Sequence, residues 1–77
     1  MTTFFVTERK DPTGFDPSVF DVKASGSKEI WNTFSTREKA IAWLADQIET
    51  FGAAVKINDK KSVISTAEVV KFIEERA

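Results

Sequence analysis

Three aspartates, Asp11, Asp16 and Asp21, recur around the first long connection of the chain. Carboxylates gathered in this way are the donors that Mg²⁺ or Ca²⁺ takes. Their contexts argue against such a site. Asp11 and Asp16 each precede a proline in a turn setting, and Asp21 falls where a strand residue should face solvent. No metal site is expected. The chain holds no His, Cys or Tyr, which removes the commonest general base and the softest nucleophile. No Ser–His–Asp arrangement can form. The three glycines are scattered, so no phosphate-cradling loop exists. The residue types therefore point away from an enzyme and from any cofactor.

What remains is suited to recognition. Phe5, Phe15, Val19, Trp31 and Trp43 are the candidate partner-contacting residues, because large apolar side chains at strand and helix margins make interface anchors. Two of them have a structural alternative: Trp43 can lie over the edge of the core, and Phe15 can fold back as a lid. Lys23, Lys28, Lys56, Lys60 and Lys61 are the cations that a nucleic-acid surface would use. Lysines at a turn tip also serve as edge protection.

The element that must position these residues is a helix from Phe34 to Gly52. Ser35 followed by Glu38 has the capping-box spacing. Ala40, Ile41, Leu44, Ala45, Ile48 and Phe51 then recur at three- and four-residue steps, one face of a 3.6-residue period. Gly52 supplies the stop. Trp43 sits on the flank of that face.

Upstream, Thr2 to Glu8 reads as a strand with Phe4 and Val6 on one face and Phe5 on the other. Arg9 to Pro17 is a connection carrying the Asp-Pro-Thr-Gly turn signal. Ser18 to Ala24 is a second strand, with Phe20, Val22 and Ala24 alternating against Val19, Asp21 and Lys23. After a Ser-Gly-Ser turn, Glu29 to Phe34 is a third. If Phe34 enters the core, Ile30 goes with it, and Trp31 joins Phe5 and Val19 on the outer face. Three large apolar groups there require a cover, a partner or a register shifted by one. Beyond Gly52, Ala53, Val55 and Ile57 form a fourth strand. Asn58 to Lys61 turn, Ser62 to Ile64 either pairs back or leads onward, and Ser65 with Glu68 caps a second helix from Thr66 to Arg76. That helix places Val69, Val70, Ile73 and Ala77 on one side. The expected fold is α+β: an antiparallel sheet, a three-stranded meander plus a fourth strand, packed by two helices in the order β-β-β-α-β-(β)-α.

Composition agrees with one domain over residues 1–77. Apolar residues make up 42% and charged residues 30%, with seven Phe, enough to build a core even though a chain this short buries only about 60–65% of its unfolded surface. The net charge is −1, from 11 basic and 12 acidic groups, and neither half is a polybasic arm or an acidic tail. Binding driven by phosphate neutralisation alone is disfavoured. Without cysteine there is no disulfide framework. No apolar run approaches the roughly 18–20 residues of a membrane span, and no secretory signal opens the chain. A cytoplasmic protein without membrane contact is expected.

The segment from Glu29 to Leu44, a strand ending W-N-T-F and then S-T-R-E-K-A-I-A-W-L, resembles the strand-to-helix passage of small three-strand-plus-helix domains. These include the arm-type DNA-binding modules of phage integrases and short proteins of phages and bacteria. The integrase likeness implies a sheet that reads a DNA groove. Such a sheet should be basic and polar on its reading face. Here that face is expected to offer Phe5, Val19, Trp31, Asp21, Lys23 and Glu29, a mixture better suited to a protein.

The sequence therefore points first to a small non-catalytic protein-binding module, of the kind that phages and mobile elements use to inhibit or redirect a host protein such as a defence complex. Its partner would be a host or cognate protein. A DNA-binding domain of the three-strand-plus-helix type comes second. A homo-oligomer, a homodimer in its simplest form, comes third.

Overall fold

A computed structural model describes residues 2–10, 14 and 18–76. The elements are β1 (Thr2–Arg9), β2 (Val19–Ala24), β3 (Ile30–Phe34), α1 (Arg37–Phe51), a single 3₁₀ turn (Gly52–Ala54), β4 (Val55–Ile57) and α2 (Thr66–Arg76). The fold is α+β, a four-stranded sheet in the order β3-β2-β1-β4 with two helices. No helix among the described residues is long and apolar enough to cross a membrane.

The sheet is mixed, where a purely antiparallel one was expected. β1–β2 and β2–β3 are antiparallel, but β4 lies parallel to β1, with Thr2 facing Val55 and Phe4 facing Ile57. Chain direction dictates this. In a meander β3 runs parallel to β1, and a helical crossover brings the chain back so that the next strand repeats the direction of β3. β2, the only strand of opposite sense, is already paired on both sides. Both free edges therefore run parallel to β4.

Phe4, Val6, Phe20, Val22 and Ala24 form one face of the sheet, and Ala40, Leu44 and Ala45 of α1 and Val69 of α2 pack on it. Both helices thus cover the same face. Arg37 of α1 pairs with Glu68 near the start of α2, and Arg76 at the end of α2 pairs with Asp46 and Glu49 of α1. These ties show the helices lying side by side in the same direction. Glu49, followed by Asp46, holds the Arg76 pKa above its ordinary value.

Local signals are shifted in places. Thr36, one residue beyond the expected Ser35, caps α1: its hydroxyl accepts the Lys39 N–H at 3.2 Å. Gly52 ends α1 as expected, with φ 58° and its N–H donating to the Ile48 carbonyl. Gly52 to Ala54 form the 3₁₀ turn, so the fourth strand starts at Val55 and not at Ala53. Ser65 caps α2 by accepting the Glu68 N–H at 3.3 Å. The Glu68 carboxylate turns to Arg37 instead of closing the box. Phe51 and Val70, expected on apolar helix faces, are exposed.

Ser62 to Ile64 forms no strand. β4 is too short to cover the β1 edge, and the Ser62 hydroxyl takes its place. It accepts the Val6 N–H at 3.1 Å and the Ile64 N–H at 3.1 Å, and it donates to the Ile64 carbonyl at 2.6 Å. The Val63 N–H then donates to the Val6 carbonyl at 2.9 Å. Ile64 is thereby driven into the core, fully buried.

Candidate binding surfaces

Trp31 stands in a β-bulge. The β2–β3 register steps from Val22 opposite Asn32 to Lys23 opposite Ile30, leaving Trp31 as the extra residue of β3. A bulge lets neighbouring side chains depart from strict alternation, and this one reverses the expected arrangement. Ile30 is 46% exposed and pairs with Lys23 on the helix-free face. Trp31 turns to the helix face, where its ring meets Phe4 edge-on with centroids 5.2 Å apart. It does not join Phe5 and Val19.

A second edge-to-face contact joins Phe4 to Trp43, also at 5.2 Å, and Trp43 tilts against Phe34 at 6.4 Å. Trp43 is half-buried against the core. Its position on the flank of α1 is what allows it to reach both rings.

Beside the Trp31–Phe4 contact lies an open cleft of about 230 Å³, lined by Phe4, Trp31, Phe51, Val55 and the polar Gln47 and Thr2. Phe4 is buried and forms its base. Trp31 is 54% exposed and Phe51 57% exposed. Phe51 is the last residue of α1, immediately before the Gly52 stop. The volume is below the roughly 300–1,000 Å³ of sites that enclose small-molecule ligands. It has room for one or two apolar side chains, with the polar Gln47 at its wall.

The candidate residues thus separate. Trp31 borders the cleft, and Trp43 supports it through Phe4. Phe5 and Val19 stand on the opposite face, Phe5 half-buried and Val19 buried. Phe15 lies outside the described residues. Phe51, expected on the apolar face of the helix and not among the candidates, borders the cleft as well. Its place at the last position before a glycine stop was the available signal that it could be left uncovered.

Asp21, expected at the surface, is 1% exposed. Its carboxylate accepts Arg9 Nε–H on one oxygen and the Thr33 hydroxyl, at 2.9 Å, on the other. Arg9 and Thr33 come from the strands on either side. An acid in mid-strand is buried here while its ion-pair partner Arg9 stays partly exposed, the contacts spanning three strands. Asp11 and Asp16 lie outside the described residues. Among the described residues no cluster of three or more carboxylates gathers to hold an ion.

Of the candidate cations, Lys28, Lys56, Lys60 and Lys61 are exposed and Lys23 is half-buried. Lys60 and Lys61 occupy the turn after β4, which is no hairpin tip because no strand pairs back. No family model, curated protein or solved structure matches this chain.

Proposed function

We propose that this chain is a small non-catalytic protein-binding module that grips its partner through the Trp31–Phe51 cleft. The observation that supports the reading is the pair of aromatic side chains, each more than half exposed, beside an apolar base at Phe4. Exposed aromatics around a desolvated pocket are the usual composition of interface hot spots. The biological setting that fits a short chain without catalytic groups is an accessory protein of a phage or mobile element, acting on a host protein such as a defence complex by occupying its surface.

The test is affinity capture from native host lysate, with and without nuclease, using the wild type beside the double variant W31A/F51A. A stoichiometric protein retained through nuclease by the wild type and lost by the folded variant is the expected result. Equal capture by both would move the contact away from the cleft.

A further inference from the structure

The helix-free face of the sheet carries a group that the cleft does not use. Phe5 stands half-buried on β1, with Lys23 directly opposite on β2. Lys61 Nζ lies 5.8 Å from the Phe5 ring centroid. Two residues back along β1, Thr3 faces Lys56 of β4. Alternation puts Thr3 and Phe5 on one face, so these three lysines and one ring form a continuous patch. None of the three lysines is ion-paired among the described residues. Asp21, the carboxylate in the middle of β2 on the same face, is occupied by Arg9 and Thr33.

Folding has segregated the charge that is balanced along the sequence. The helices on the far side carry Glu38, Asp46, Glu49, Glu68, Glu74 and Glu75, more acids than the bases beside them. Three of the apolar and acidic groups expected to dilute the sheet face have left its surface, while Glu29 stays exposed before β3 and Ile30 takes an exposed place opposite Lys23. Trp31 crosses to the helix side, Val19 is buried, and Asp21 is neutralised. What remains is an aromatic ring amid ammonium groups that form no ion pair among the described residues, with Ile30 as an apolar neighbour.

We infer that this face binds single-stranded nucleic acid, Phe5 stacking on a base while Lys23, Lys56 and Lys61 meet phosphates. Charge complementarity selects a polyanion, and the ring selects nucleic acid over an acidic peptide, because every unpaired base offers a π-face. A duplex keeps its base faces stacked inside the helix. The present contact of Lys61 with Phe5 is at the long end of cation–π range, so an incoming base displaces it and frees the ammonium for a phosphate. The inference is independent of the protein-binding reading, since the cleft opens on the other side of the sheet.

The test is fluorescence anisotropy with a labelled oligothymidylate, titrated at several salt concentrations, with polyglutamate as the competing polyanion. Three phosphate contacts give a slope of log K against log[salt] of about −2. The variant K23E/K56E/K61E should lose binding. Phe5→Leu keeps an apolar side chain at a half-buried position and should weaken binding about tenfold by removing the stack. Failure of the wild type to bind at low salt overturns the inference. So does a polyglutamate affinity equal to that of the oligonucleotide, or a Phe5→Leu variant that binds as the wild type does. Circular dichroism of each variant guards against loss of fold, and K56E alone, at an exposed site, should still reduce the salt slope.

Discussion

Trp31 and Phe4 meet edge to face across the width of β2, ring planes at 80°. Two features permit it: the bulge that turns Trp31 to the helix side, and the small Ala24 opposite Phe4, which leaves room above β2. The contact fixes an exposed tryptophan on a rigid base, so an anchoring residue loses little side-chain freedom when a partner arrives.

The two tryptophans should report different surroundings. In Trp43→Phe the remaining Trp31 should emit near the maximum of tryptophan in water and be quenched by acrylamide. In Trp31→Phe the remaining Trp43 should emit further to the blue and be shielded. Urea unfolding should separate them as well. Trp31→Ala should cost about 1 kcal/mol, the scale of one exposed aromatic pair, and Trp43→Ala about 3 kcal/mol.

The Arg9–Asp21 pair is asymmetric, with Arg9 45% exposed and Asp21 1% exposed. Deleting Asp21 leaves an arginine that water can reach, together with an unpartnered Thr33 hydroxyl. Deleting Arg9 leaves a buried carboxylate without its counter-charge. Arg9→Ala should therefore destabilise more, about 3 kcal/mol against about 2 kcal/mol for Asp21→Ala. Equal losses in urea titration would mean that the carboxylate finds water when Arg9 is absent.

Ser62 holds a strand edge with a side chain. Ser62→Ala orphans the Val6 N–H and releases the turn that buries Ile64, and should cost about 2 kcal/mol. Amide hydrogen exchange should locate the effect: exchange at Val6 and Ile64 accelerates, while amides of the β1–β2 ladder keep the protection of the remaining global stability.

Helix ends give a paired test. Thr36→Ala should cost about 1 kcal/mol by removing the α1 cap, and Ser35→Ala should change stability by less than about 0.5 kcal/mol. At the other end, no atom lies within 4 Å of where a Gly52 Cβ would stand. Its backbone, φ 58° and ψ −127°, is nonetheless a region that residues with a Cβ rarely enter. Gly52→Ala should cost about 1–2 kcal/mol from conformation alone. Thermal unfolding by circular dichroism reads all three variants.

Local periodicity and end signals determined much of this protein. The three- and four-residue spacing from Ala40 to Ile48 made α1, Gly52 ended it, Ser65 capped α2, and strict alternation placed Phe4, Val6, Phe20, Val22 and Ala24 on one face. These follow from backbone geometry and side-chain type within a few residues, where the chain needs no distant partner. The parallel pairing of β4 was also implicit, since a helix after a three-strand meander leaves only parallel edges. The candidate sites depended on distant contacts. Asp21 is buried because Arg9 and Thr33 reach it from neighbouring strands, and alternation alone cannot distinguish a solvated acid from an ion-paired one. Trp31 faces the helices because one extra residue in β3 reverses the pleat, and a bulge is a property of two paired strands. Phe51 is exposed because none of the described residues packs over the end of α1. The tertiary structure made those choices, because burial and pairing energies belong to the contact between elements and are absent from any element alone.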